Sequence, residues 1–274
     1  MKHMAILTDV TRCIGCEECV AACQKTHATG RDAPYRWQGD ATELSSTRWT
    51  TLARGPRGRF VREQCRHCLD PACAAACPVG ALSKSAEGPV VYDPAICMGC
   101  RYCMVACPFR MTRYEWESAM PRVRKCILCH DKLVTGELQE PACTAACPNE
   151  ATVFGDRDEL IRTAWNRIRA NPDRYLPHVW GEHEIGGTSV LYISDVDLKS
   201  AGWPSYLDSE ARPELARKVL HTVFPTFFGV AAVMAGVHWI IDRRQQLGGD
   251  AVEGAETEKA PGVSVESETG ESSE

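Results

Sequence analysis

CMGCRYCMVACP, residues 97–108, places four cysteines at the spacing C-x2-C-x2-C-x3-C and follows the last with a proline. Three more groups surround it. Cys13, Cys16, Cys19 and Cys23 keep the spacing but carry Gln24 where the proline stands. Cys65, Cys68, Cys73 and Cys77 widen the middle gap to four residues and keep Pro78. Cys126, Cys129, Cys143 and Cys147 widen it to thirteen and keep Pro148. PACAAACP (71–78) and PACTAACP (141–148) agree at seven of eight positions, and CMVACP (103–108) shares their ending. Self-similarity of this kind marks duplicated modules. Together the groups use all sixteen cysteines of the 274 residues.

The spacing has a physical reading. Three close cysteines can wrap an inorganic cube in a tight loop whose backbone N–H groups face the sulfurs. The fourth opens a helix leading to a neighbouring cube, and the proline, lacking an N–H, bends the chain away. At four thiolates per cube, sixteen cysteines supply four [4Fe–4S] clusters. Zinc sites also use C-x2-C pairs, but they do not need a triple closed by Cys-Pro. Cysteines this close in sequence make poor disulfide partners. Cys126 to His130 also fits the C-x-x-C-H of covalent haem, at the cost of stranding Cys143 and Cys147.

Elsewhere the pattern is plainer. Residues 24–64 form an insertion without cysteine, and within it Arg48–Arg62 reads as a β-hairpin turning at Gly55, Pro56 and Gly58. Gly88-Pro89 and Val90 to Tyr92 predict a turn and a short strand. Asp158–Arg169 reads as a helix, Thr188–Ile193 as a strand, and residues 194–218 as a linker. Val219–Ile241 holds no Asp, Glu, Lys or Arg over 23 residues, enough for a membrane-spanning helix. The opening MKHMAILTDVTR does not read as a signal peptide: it has no long apolar run, twin arginine or cleavage site. Beyond Leu247 eight acidic residues face only Lys259, so of the net charge of -5 about +2 belongs to the rest; no nucleic-acid partner follows from it. That tail reads as disordered. Phosphate-loop, dinucleotide and nucleophile-elbow motifs are absent from the sequence, so no catalytic residue is expected.

The order of the four groups, with its wide fourth member, resembles the iron–sulfur subunits of molybdopterin oxidoreductases of the dimethyl sulfoxide reductase type, over about residues 4–155. GEHEIGGTSVLYIS (181–194) and one apolar C-terminal helix narrow the likeness to the β subunit of membrane-bound formate dehydrogenase and the ferredoxin-like subunit of uptake hydrogenases. The resemblance implies an α+β fold of two fused double-cubane ferredoxin domains with insertions (1–155), pairing groups one with four and two with three. An extension and linker (156–218), a transmembrane helix (219–241) and a disordered acidic tail (242–274) would follow.

It also implies a ligand exchange. Cys13, Cys16, Cys19 and Cys147 would hold one cube, and Cys126, Cys129, Cys143 and Cys23 its neighbour. Cys65, Cys68, Cys73 and Cys107 would hold a third, and Cys97, Cys100, Cys103 and Cys77 the last. The implied role is an electron wire from a catalytic large subunit, molybdopterin or nickel–iron, to an integral membrane quinone-reactive or cytochrome b subunit. The cluster domain would be periplasmic through co-export with its partner, with a cytoplasmic location as the alternative. A relay for a terminal reductase running the other way, and a zinc-stabilised membrane scaffold, are the competing readings.

Three further expectations concern single residues. His221 and His238 read as interfacial histidines of the membrane helix rather than haem or quinone contacts. Ala232 and Gly236, with Gly229 near the same face, would permit close helix packing or be ordinary membrane composition. Arg66, His67 and Lys125 could tune cluster potentials, but charged residues usually lie outside, and the surface reading is the expected one.

Overall fold

A computed structural model describes residues 3–29, 44–116, 118, 121–207 and 209–253; side chains of 212, 214–224 and 247–253 are left aside. The chain divides into two compact units after Arg217.

In the first unit, strand β1 (Met4–Asp9) is the middle of a three-stranded sheet. It pairs antiparallel with β8 (Thr152–Asp156), Ile6 facing Phe154, and parallel with β9 (Val190–Ile193), Ile6 facing Val190. Side chains alternate across a strand. Ala5 and Leu7 of β1, with Leu191 and Ile193 of β9, therefore pack on Leu160, Ala164 and Ile168 of helix α6 (Arg157–Ala170). That helix begins at Asp156, whose carboxylate accepts from the Asp158 N–H, an ordinary N-cap. Ile6, on the other face of β1, meets Cys19, Val20, Leu52, Leu128 and Cys143. One side of the sheet is thus shut by a helix and the other by the cysteine groups.

The remaining strands are short hairpins. The predicted hairpin forms as β2 (Thr50–Arg54) and β3 (Phe60–Gln64), turning over Gly55 to Gly58. Strands β4 (Leu82–Lys84) and β5 (Val90–Tyr92) pair across the Gly88-Pro89 turn, and β6 (Arg113–Tyr114) pairs with β7 (Val123–Arg124). Each cysteine group is followed or crossed by a short helix. Helix α1 (Glu18–Thr26) packs on α5 (Ala142–Ala145), and α2 (Ala72–Ala75) packs on α3 (Tyr102–Ala106). Helix α4 (His130–Val134) follows Cys129.

The stretch read as a linker differs from expectation at its start. Ser194, Val196, Leu198, Ala201 and Trp203 are buried. Trp203 lies 5.2 Å from Phe109, 5.6 Å from Tyr192 and 5.7 Å from Trp180, ring centre to ring centre. Scattered apolar residues without a period gave no local signal, yet they close the core from a distance.

In the second unit, helix α7 runs Arg212–Glu253, beginning before the expected Val219 and carrying Pro225 within it. Its segment Pro225–Gln246, 22 residues, is long and apolar enough to cross a membrane, with mean hydropathy 1.3 over an 18-residue window. Residues 242–253 are helical rather than part of a disordered tail; 254–274 and the His221 side chain lie outside the description. His238 is exposed, and nothing lies within 4 Å of a Cβ built at Gly229 or Gly236.

Candidate functional site

The local backbone explains how the cysteines are aimed. In each C-x2-C the residue before the second cysteine has positive φ: Gly15 at 75°, His67 at 48°, Gly99 at 75° and Leu128 at 60°. A left-handed residue there turns successive N–H groups toward the inside of the loop. At Gly15 a Cβ would come within 2.5 Å of the Phe60 ring, and at Gly99 within 2.6 Å of the Tyr114 hydroxyl, so close packing as well as φ requires glycine.

A second turn recurs after each Cys-Pro. The third residue on, Gly80, Arg110 or Glu150, is left-handed, and its N–H donates to the cysteine carbonyl at 3.3, 3.1 and 3.2 Å. The next N–H then reaches sulfur: Met111 donates to Cys107 Sγ at 3.4 Å and Ala151 to Cys147 Sγ at 3.2 Å. Leu128 N–H reaches Cys126 Sγ at 3.3 Å. Group one, with Gln24 in the proline's place, has no such turn: α1 simply continues through Cys23 to Thr26.

All sixteen thiols are free. They gather in four neighbourhoods whose charges act on one another. Cys13, Cys19 and Cys16 surround Cys147. Cys126, Cys129 and Cys143 surround Cys23. Cys65, Cys68 and Cys73 stand with Cys107, and Cys97, Cys100 and Cys103 with Cys77. Charges also act between neighbourhoods in series, through Cys19 and Cys143, Cys126 and Cys65, and Cys73 and Cys103.

Burial, with crowding by other thiols, pushes Cys19 up to about 11 and Cys73 and Cys126 up to about 12. Cys77 goes the other way: burial would raise it, but N–H groups of Leu82, Val79, Ala81 and Gly80 together hold it below its usual value. Among the described residues no three Cys, His, Asp or Glu side chains are grouped to hold a single metal ion. Cys13, Cys16, Cys19 and Cys147 instead line a cavity together with Ile14, Leu52 and Arg62. Four thiols, apolar walls and backbone donors to sulfur fit a cube of iron and sulfide.

The charged neighbours of the cysteines correct the surface expectation. Arg66 is 2% exposed, His67 0% and Lys125 3%. Arg66 pairs with Glu63 at 3.0 Å and lies 4.6 Å from the ring centres of both Tyr192 and Trp203. His67 Nδ1 accepts from Val90 N–H at 2.9 Å. Lys125 Nζ donates to the carbonyls of Val90 and, at 3.0 Å, Cys126. Other residues escaped the sequence reading. Arg62, 2% exposed, donates to Thr50 and Thr152 hydroxyls at 3.1 and 3.0 Å and to Gln64 Oε1. Lys84 Nζ donates to the carbonyls of His67 and Cys68 at 3.2 and 2.8 Å. His27 stands 3.3 Å from Cys129 Sγ and 4.9 Å from the Trp49 ring. Only the strand register, with Arg62 opposite Leu52, could have hinted that one of them points inward.

Burial, then Lys125 and Lys84, hold the His67 imidazole well below its ordinary 6.5. It is neutral when folded, whereas the unfolded chain takes up its proton near 6.5. The contribution is therefore fully present above pH 6.5 and is lost as the pH falls below it, by at most about 1.4 kcal/mol per pH unit. Thermal melting below pH 6.5 should show this slope, and a His67→Asn chain should show a shallower one; equal slopes would refute the assignment.

Comparison with known proteins falls on the same residues. Models of the 4Fe–4S dicluster domain match residues 12–82 and 57–157. A Nitratidesulfovibrio vulgaris protein is 40% identical over 88% of this chain and 68% of its own length. The hydrogenase-2 operon protein HybA of Escherichia coli O157:H7 is 31% identical over 88% of this chain and 84% of its own. The iron–sulfur subunit of the nitrate-inducible formate dehydrogenase of E. coli K12 is 36% identical over 70% and 68%.

Proposed function

We infer the role of this chain from its family: it belongs to the 4Fe–4S dicluster iron–sulfur subunits that include those of formate dehydrogenases and the hydrogenase-2 operon protein. It is an electron-transfer subunit of an oxidoreductase complex and not itself the catalyst.

Our finer reading is a four-cluster wire. We assign Cys13, Cys16, Cys19 and Cys147 to the first cluster and Cys126, Cys129, Cys143 and Cys23 to the second. Cys65, Cys68, Cys73 and Cys107 hold the third, and Cys97, Cys100, Cys103 and Cys77 the fourth. Bound there, the clusters supply one-electron redox chemistry. The protein's part is to supply the thiolates, keep water out and aim N–H groups at sulfur. The serial order of the thiol neighbourhoods, each within electrostatic reach of the next, supports this reading.

Exposure supports assigning the ends. The second residue of each C-x2-C is Ile14, Arg66, Met98 or Ile127; Ile14 is 58% and Met98 65% exposed, against 2% for Arg66. Cys16 and Cys100 are exposed as well. The first and fourth clusters are thus the ports, one toward a catalytic subunit of molybdopterin or nickel–iron type and the other toward a quinone-reactive or cytochrome b subunit. Helix α7 anchors the chain in a membrane, and the cluster domain stands on the periplasmic side, exported with its partner.

The test is anaerobic purification of the full chain with its complex in mild detergent. About sixteen irons per chain, four per cube, and paramagnetic signals from interacting clusters on reduction are expected. Molybdenum or tungsten against nickel in the co-purifying subunit identifies the partner. Colourless or zinc-loaded protein would overturn the wire.

A further inference from the structure

Several buried or half-buried cations among the described residues have a carboxylate, while Arg62 is held by hydroxyls and an amide instead. Arg66 pairs with Glu63 at 3.0 Å, Arg59 with Asp195 at 2.7 Å and Arg167 with Asp9 at 3.6 Å. Lys125 and Lys84 do not. Lys125 is 3% exposed, and its ammonium meets only the carbonyls of Val90 and Cys126. Lys84 is part-buried and meets only the carbonyls of His67 and Cys68 and, at 3.5 Å, the Ser189 hydroxyl. Both ammonium groups are thus held by neutral oxygens, with no carboxylate within 4 Å of either among the described residues. Burying a charge away from water is costly unless an opposite charge compensates it.

The surroundings say where compensation comes from. Lys125 immediately precedes Cys126 and acts on Cys73, so it faces the second and third thiol neighbourhoods at once. Lys84 acts on Cys68 and Cys65 of the third. A cube held by four thiolates is a net anion in both oxidation states, and more so when reduced. We propose that Lys125 and Lys84 are counter-cations of the wire's middle crossing, holding the potentials of the clusters beside them up. The proposal rests on the four-cluster reading. Each passage adds one electron to a cube and removes one, with no proton or atom moved. The lysines are positioning residues: they touch no reacting atom and act through their charge.

Lys125→Gln keeps a donor for the two carbonyls and removes the charge; Lys125→Arg keeps the charge. Redox titration of the purified complex, followed by electron paramagnetic resonance, reads the potentials. In Lys125→Gln at least one middle couple should move down by a factor of about ten in its reduced-to-oxidised ratio, about 59 mV for one electron. Lys125→Arg should restore it, and exposed Arg57→Gln should move nothing. If Lys125→Gln fails to take up iron, Lys84→Gln decides, with the same downward shift expected in one middle couple. A fully iron-loaded Lys125→Gln chain with unshifted couples, or an unshifted Lys84→Gln where that variant decides, overturns the proposal. Loss of the wild-type cluster signals themselves would instead overturn the four-cluster reading.

Discussion

Cys126→Ser will lose about a quarter of the iron, about four of sixteen per chain, and with it electron flow between the two ports. The thiol is 8% exposed and sits between Cys143 of its own neighbourhood and Cys65 of the next. A serine hydroxyl is a hard donor with too high a pKa to replace a soft thiolate on iron. On the proposed assignment this is the second cube of the series, so electrons would have to cross a gap one cluster wide rather than bypass an end. The side chain also packs in the main core, with Val61, Met111, Trp180 and Tyr192, and part of the loss will appear as lower melting temperature. On the same assignment the matched substitution at exposed Cys16 should remove an end cluster and leave that core untouched. Iron and sulfide analysis with reduced-state spectra measures both. A Cys126→Ser chain with full iron and undiminished electron transfer would remove this cysteine from the ligand set.

What the sequence made readable was local. Groups, turns and the hairpin depend on spacings of a few residues, and so does α6, whose Leu160, Ala164 and Ile168 keep a helical period. The unreadable parts depend on distance. Residues 194–203 offer no period, yet Trp203 fills the space between Phe109, Trp180 and Tyr192, far apart in the chain. Helix α7 begins at Arg212 because helix formation tolerates Glu214, Arg217 and Lys218, whereas an apolar window starts only where charges stop. Arg66, His67 and Lys125 were misplaced for an energetic reason: the rule that charges lie outside holds only until an interior supplies partners. Here the interior supplies Glu63, aromatic faces, backbone carbonyls and the thiol neighbourhoods. None of these can be seen from one position in a sequence.

Glu63 tests that point most severely. Its carboxylate accepts from Arg66 Nη2 at 3.1 and 3.0 Å, and both side chains are almost wholly buried. Burial raises the Glu63 pKa, against the pull of Arg66. Two effects compete when Glu63 is cut to alanine. Removing a buried carboxylate relieves its desolvation, but it leaves the Arg66 guanidinium buried with the Tyr192 hydroxyl, the Arg62 carbonyl and the rings of Tyr192, Trp203 and Phe109. The second effect wins, because breaking one side of a buried pair costs about 3–5 kcal/mol, and the ring contacts, already made with Glu63 in place, add nothing new. Glu63→Ala should therefore unfold at markedly lower denaturant, and Glu63→Ala with Arg66→Met should recover much of the loss, since an apolar pair can replace a buried ionic one. A double variant no better than the single would mean that Arg66 matters for a reason other than its partner. The cations next to the thiols would then have to be weighed against the clusters rather than against carboxylates.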